Sequence, residues 1–263
     1  MKLKKFIFWT LGISLASLII GLVIMAYQGS YKIESRIIDQ SKTAGVEGIN
    51  NIKIQSSSAD IIITPTAEKE ITLRYYGTLR SSGKDDPKVE INKIGNDLKI
   101  KSGMNLGFIW YSATNFEDFK LEVKLPASYQ NKLEIVTNFG DIEVSSLKLA
   151  DLTTSTGSKG KVTITDCQGD QEVNATLGEI TITDTELNSN KTIKSTFSDV
   201  NLILPANGDF TFIYDTNSGN LTNLSSAQIT QNSKEHILGT AGSGNHTITV
   251  KTSSGNLNLT KSN

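Results

Sequence analysis

Carboxylates recur along this sequence in one local setting, each directly after a small residue and directly before an aliphatic one. Asp60, Asp141, Glu179 and Asp199 hold this position, and Lys161, Asn220 and Asn256 hold it in further copies. If the strands carrying them stack in register, these residues form one column with a step of about 4.8 Å. A column of carboxylates could bind calcium through its oxygens. Two of them about 5–9.5 Å apart, drawn from Asp141, Glu179 and Asp199, could instead cleave a polysaccharide by acid–base chemistry. The same residue types also serve turns, because Asp and Asn side chains accept hydrogen bonds from nearby backbone amides. Lys161 interrupts the column, and like charges one step apart repel. The column is therefore read as structural, with no catalytic residue and no metal ligand assigned.

A second chemistry-bearing stretch is aromatic. Met104 to Phe116 holds Phe108, Trp110, Tyr111 and Phe116, which could stack on sugars or anchor a protein partner. The alternative is a cap over the open end of a stacked-strand fold, where unpaired edges need cover. The cap is the preferred reading, and these four aromatics remain the best candidate for a partner-binding loop. Cys167 has no histidine near it in sequence to activate it as a nucleophile. Ser81–Lys84 and Ser145–Lys148 match a Ser-x-x-Lys pattern, but neither has a companion Lys-Thr-Gly. His236 and His246 lie ten residues apart on a polar stretch and read as surface residues.

Composition narrows the classes further. Among 263 residues there are 28 Ser, 28 Thr and 21 Asn, against 4 Pro, 2 His and 1 Cys. That profile disfavours a helical bundle, which is built on Ala, Leu, Glu and Lys. A net charge of −1 removes the electrostatic case for a nucleic-acid binder. A single cysteine forms no intrachain disulfide and no cysteine-rich metal site. No cofactor is expected.

The elements that position the column follow from a repeat. Ile135-Val-Thr-Asn-Phe-Gly140-Asp-Ile-Glu-Val144 recurs as 173–182, 193–202, 214–223 and 250–259, and near the start as 54–63. The segment 152–164 fits if Ser158, Lys159 and Gly160 are inserted at the glycine. Counting from the pivot (Gly140, Gly178, Gly219, Gly255, or Ser198 and Ala59), apolar residues sit at −5 and small Thr, Ser or Ala at −3. Aliphatics return at +2 and +4. The apolar positions are odd before the pivot and even after it, so a straight strand would split them between two faces. The chain must turn at the pivot, where glycine allows the turn and the small −3 residue leaves room. The spacing predicts a β-solenoid-like repeat of about 20 residues per rung. Ile142, Ile180, Val200, Leu221 and Leu257 should form one buried column. Ile135, Leu152, Val173, Ile193, Tyr214 and Val250 should form a second, facing it.

Between Pro65 and Pro126 the pattern changes to alternating strands at 70–76, 88–93, 97–101 and 119–125. A hairpin is expected around Gly95-Asn96. This flanking antiparallel part should share a sheet with the first rung.

The N-terminus is a different object. Lys2, Lys4 and Lys5 precede an uncharged run of 22 residues from Phe6 to Tyr27. As a helix that run measures roughly 33 Å, enough to cross a bilayer core. The basic flank orients the N-terminus to the cytoplasm, so the remainder should lie outside the cell. The run is too long for a signal-peptide core and lacks a small-x-small cleavage site, so a retained anchor is expected. An exported chain with one cysteine suits a Gram-positive envelope. The expected organisation is a cytoplasmic tail at 1–5, a transmembrane anchor at 6–27, a juxtamembrane segment at 28–50 and an extracellular β-repeat domain at 51–263.

The anchor, the opening Ser58-Ala59-Asp60-Ile61-x-Ile63-x-Pro65 and the repeated Thr-x-x-Gly-Asp-Ile-x-Val, as in Thr137–Val144, resemble the bacterial putative-adhesin family of unknown function. The resemblance covers about residues 45–263. It implies a β-solenoid-like envelope domain without enzymatic activity, and it carries over no catalytic residues. Some relatives accompany envelope-stress regulators. The expected function is a membrane-anchored, extracytoplasmic interaction module whose partner is a protein or a cell-wall or surface glycan. An envelope-stress accessory role is the alternative, and a polysaccharide-active enzyme comes third.

Overall fold

A computed structural model describes residues 2–28, 33–104 and 114–262. One helix, α1 (Lys2–Gln28), precedes an all-β region. The side chains described on α1 are those of residue 10 and residues 12–24, and all are exposed. Among the described residues no helix is long and apolar enough to cross a membrane.

In chain order, β1 (Glu34–Gly45) precedes the first two-strand rung, β2 (Asn51–Ser56) and β3 (Asp60–Thr66). β4 (Glu70–Ser81) and β5 (Lys88–Ile94) follow, then β6 (Asp97–Gly103) and β7 (Thr114–Pro126). Regular rungs come next: β8 (Lys132–Thr137) with β9 (Ile142–Ser145), and β10 (Lys148–Thr156) with β11 (Val162–Thr165). β12 (Gln168–Ala175) pairs off with β13 (Glu179–Thr183), and β14 (Lys191–Ser195) with β15 (Asp199–Leu204). The chain closes with β16 (Phe210–Thr216), β17 (Leu221–Asn223), the hairpin β18 (Gln228–Asn232) and β19 (His236–Ala241), then β20 (His246–Thr252) and β21 (Leu257–Lys261).

Each rung gives one strand to each of two facing sheets. One sheet has ten strands in the order β1-β4-β7-β3-β9-β11-β13-β15-β21-β17. The other has eleven, ordered β18-β19-β16-β20-β14-β12-β10-β8-β2-β6-β5. Among the described residues, pairing between rungs is parallel throughout, and antiparallel strands occur only at the two ends. The hairpin at Gly95 forms between β5 and β6, with the glycine at φ +60°.

The parity change at the pivots is explained by this arrangement, since the strands on either side belong to different sheets. Ile142, Val162, Ile180, Val200, Leu257 and Leu221 are register partners in one column. All are buried except Leu221, which is half-exposed because β17 is a sheet edge. The facing column is Ile135, Thr154, Val173, Ile193, Val250 and Tyr214. Leu152 does not belong to it, because Leu152 pairs with Leu133 and Gln171 two residues earlier. Thr156 pairs with Thr137, three residues before Gly140, yet lies four before Gly160, so this rung carries one extra residue rather than three. Each aliphatic buried in these columns contributes roughly 1.5–3 kcal/mol.

One expectation needs correction at the N-terminal end. β1 lies within the segment read as juxtamembrane, yet it is a full sheet strand paired to β4 over its whole length. β1 is the edge strand at this end of its sheet, while most of the aromatic segment read as a cap lies outside the described residues. Arg36 on β1 donates to the carbonyls of Gly83 (2.7 Å) and Lys84 (3.0 Å) and meets Asp86 at 2.9 Å. Gln40 bridges to Pro87 and Val89, tying the edge of one sheet to β5 of the other. Paired backbone and a charge-assisted clamp tie this edge strand to the rest of the stack.

Candidate functional site

The pivots line one corner of the stack, where the chain passes from one sheet to the other. At −3 the residue does more than leave room. The N–H of Ala59 donates to Ser56 Oγ (2.9 Å) and that of Gly140 to Thr137 Oγ1 (3.1 Å). Gly219 donates to Thr216 Oγ1 (2.8 Å) and Gly255 to Thr252 Oγ1 (2.9 Å) in the same way. The hydroxyl thus takes the amide that the turn removes from the ladder.

Glycine at the pivot is required mainly by close approach. A Cβ at Gly140 would strike the carbonyl of Ala59, one at Gly255 the carbonyl of Ser198, and one at Gly219 the carbonyl of Gly255 and the hydroxyl of Tyr214. Tyr214 is buried there and donates to Gly255 O at 2.6 Å. Burial pushes its pKa above the ordinary tyrosine value. Only Gly178 adds a dihedral requirement, at φ +116°, and its −3 residue is Ala175, which has no hydroxyl to offer.

The carboxylate column beside the pivots is occupied by backbone from the neighbouring rung. Asp60 Oδ1 accepts from the N–H of Asp141 (2.9 Å), and Asp141 Oδ1 from that of Lys161 (2.7 Å). Asp199 Oδ1 accepts from Asn256 (2.8 Å), and Asn256 Oδ1 from Asn220 (3.0 Å). At the opposite corner Asp170 and Asn190 repeat the device, accepting from Asn190 and Thr247. The sequence reading placed these bonds within each turn. They run between rungs, because adjacent rungs are in register and only the next amide lies within reach.

Lys161 and Glu179, where the ladder breaks, face each other at 3.1 Å. Glu179 and Asp199 are register partners, a separation at which two carboxylates could flank a glycosidic bond. Both carboxylates are engaged by other groups, however. Glu179 is held by Lys161 and by Asn201 Nδ2 (2.6 Å), and Asp199 is turned toward Asn256. Among the described residues no three His, Cys, Asp or Glu side chains cluster as a metal site would need.

The same corner leaves apolar side chains in solvent. Phe139 and Phe197, each immediately before its pivot, are 60% and 56% exposed. Leu177, in the rung before that of Phe197, is half-exposed. Phe139 and Phe197 are three rungs apart, about 14 Å at the strand spacing. Sequence reasoning passed over them, although an aromatic at −1 in a column otherwise rich in serine was a visible signal.

Of the four aromatics singled out by sequence, Phe108, Trp110 and Tyr111 lie outside the described residues. Phe116 is on β7 and is half-buried, edge-on to Phe119 at 5.4 Å, while Phe119 in turn packs against Tyr75 at 5.1 Å. Its ring is a core contact. Cys167 is buried, and that burial pushes its thiol up to about 11, so it is not a nucleophile at neutral pH. Ser81 and Ser145 end strands β4 and β9 rather than opening helices. His236 Nδ1 lies 2.6 Å from Asp215 Oδ1, with Lys251 Nζ at 3.5 Å from the other oxygen, in a surface group.

The profile of the Toastrack DUF4097 family matches residues 49–171 and again 158–260. The chain belongs to the Toastrack DUF4097 family. The two matches together span the stacked rungs, and their overlap falls on β11 and the first half of β12. No curated protein matches the sequence. Among solved structures, this Toastrack chain is similar to a putative cell adhesion protein from Clostridium sporogenes. That likeness has 10% identity and a TM-score of 0.49, covering 86% of this chain and all of the other. A putative adhesin from Bacteroides fragilis shares 12% identity at a TM-score of 0.37, over 85% and 97% of the two chains. A putative lipid binding protein from Parabacteroides distasonis shares 13% at 0.30, over 86% and 97%. At such scores none of these likenesses fixes the role of this chain.

Proposed function

We propose that this Toastrack chain is a non-enzymatic interaction module, held at the outer face of a cell membrane by the run Phe6–Tyr27, which contacts an envelope protein or glycan along the pivot corner. The observation that carries the reading is the pair of solvent-exposed rings, Phe139 and Phe197, displayed on a backbone made rigid by ladders on both sides. Exposed aromatic side chains fixed on a stiff scaffold lose little conformational freedom when they bind. The carboxylates that hydrolysis would need are engaged between rungs instead. The uncharged run and its basic N-terminal flank support the anchor and its orientation.

Binding of the detergent-solubilised full chain to isolated cell envelopes tests the contact face. The double variant Phe139→Ser/Phe197→Ser should bind at least about tenfold more weakly, in keeping with a hot spot. Undiminished binding would remove the pivot corner as the contact surface, and release of reducing sugars from the envelopes would overturn the non-enzymatic reading. For the anchor, the chain should stay with membranes through alkaline carbonate washing, and protease added outside intact cells should digest the β region. Recovery in the soluble fraction would refute it.

A further inference from the structure

Register places one inward column of side chains as Leu98, Ile52, Leu133, Leu152, Gln171, Lys191, Ile248 and Phe212. Six are apolar. Lys191 sits between Gln171 and Ile248 in this mostly apolar column, and it is only 1% exposed. Its ammonium meets Asp184 Oδ2 at 2.8 Å, and the Asp184 side chain is equally buried. Asp184 follows β13 and Lys191 opens β14, so the pair spans the corner opposite the pivots.

The surroundings do not solvate the charges. Neither oxygen of Asp184 makes a hydrogen bond of good geometry, nor does Lys191 Nζ, so their approach is a bare ion contact. The nearby buried groups Gln171 Oε1 and Ser189 Oγ are also without partners. Buried ion pairs persist in proteins when further hydrogen bonds satisfy both groups, and here those bonds are missing. Burial raises the pKa of Asp184, more than the Lys191 charge lowers it, and Asp166 adds to the rise. Asp184 is thus pressed toward its neutral acid form, in contact with the Lys191 side chain in a place buried from solvent.

We propose that Asp184 and Lys191 condense in the folded chain into an intramolecular isopeptide bond. A proton passes from the ammonium to the carboxylate, leaving a free amine and a carboxylic acid. Lys191 Nζ then attacks Cγ of Asp184. The new N–C bond forms, the C–OH bond breaks, and the hydroxyl leaves with a second proton from nitrogen as one water. No oxidant or co-reactant is needed. Fixed reactants at contact distance can reach effective molarities of about 10⁵–10⁸ M, which offsets the low reactivity of an unactivated acid. The product is a neutral amide in place of an unsupported buried ion pair, and it staples the loop from residue 184 to residue 191.

Intact-mass measurement of the purified full chain tests this directly. The chain should be lighter than its sequence by one water, whereas Lys191→Arg should have its sequence mass. Trypsin acting on the denatured chain should not cut after Lys191, giving a fragment of residues 162–194 that lacks one water. Within it, backbone breaks between 184 and 191 should release no separate pieces. A chain at its sequence mass overturns the proposal. So does a one-water loss with normal cleavage at Lys191, which would place a succinimide elsewhere.

Discussion

Replacing Gly178 by alanine tests the pivot corner most sharply, because two separable penalties fall on one residue. Its φ of +116° is a conformation that side-chain-bearing residues rarely adopt, which costs about 1–3 kcal/mol. An added Cβ would also strike the Gly160 carbonyl of the preceding rung, with Lys159 O also close at 3.1 Å. Overpacking of this kind costs about 1–3 kcal/mol more. The sum is about 4 kcal/mol. Gly140→Ala isolates the clash, since that residue has no positive φ but abuts the Ala59 carbonyl. Gly48→Ala isolates the dihedral, with φ +70° and nothing within 4 Å, at about 1–2 kcal/mol. Thr181→Ser, on the outer face of β13, should stay within about 0.5 kcal/mol. Melting of the solubilised full chain, followed by far-ultraviolet circular dichroism, reads all four. At about 2–4 °C per kcal/mol, Gly178→Ala should lower the midpoint by about 8–16 °C, Gly140→Ala by about 4–8 °C and Gly48→Ala by about 3–6 °C. If Gly178→Ala were no worse than Gly48→Ala, carbonyl stacking would not be the reason for glycine at the pivots.

Three further outcomes follow from the same geometry. Thr252→Val removes the hydroxyl that accepts the Gly255 amide and should destabilise by about 1–3 kcal/mol. Thr154→Val, at a buried hydroxyl without a hydrogen bond, should be neutral or stabilising by up to about 1 kcal/mol, and equal urea midpoints for the two would refute the distinction. Asp209 accepts from Asn245 and Gly244 backbone amides, which hold its carboxyl below the ordinary value. A carboxyl depressed in the folded state stabilises above its unfolded pKa, and that stability is lost as pH falls through the folded value. Midpoints measured from about pH 5 to about pH 2 should therefore fall less steeply for Asp209→Asn than for the parent, and parallel curves would contradict the assignment. Arg36→Ala should unpin β1 from the 83–86 turn, seen as faster amide hydrogen exchange confined to β1 and β5. Exchange unchanged in both strands would show that β4 alone holds the end closed.

The rung itself was legible in the residues. Aliphatics at −5, +2 and +4 about a small pivot dictate a turn between two inward-facing strands, because side chains alternate with period two and only a change of sheet brings both sets inside. Ile142, Val200 and Leu257 occupy the column that this arithmetic assigns. What the residues could not settle is which rung lies beside which. The stack does not follow the chain: β20 and β21 insert between the β14–β15 rung and the β16–β17 rung, and β6–β7 stacks outside β2–β3. Each rung offers nearly the same apolar column and the same Asp or Asn acceptor, so local pattern is satisfied by many neighbour orders. The order was decided by ends. Arg36 and Gln40 can close only a stack that finishes in β1 and β5, and the β18–β19 hairpin carries the chain back so that β20 fills the place beside β14. The contact of Lys191 with Asp184 has the same origin. Sequence shows a lysine opening an ordinary strand, and only the register of eight stacked strands turns it into the apolar interior.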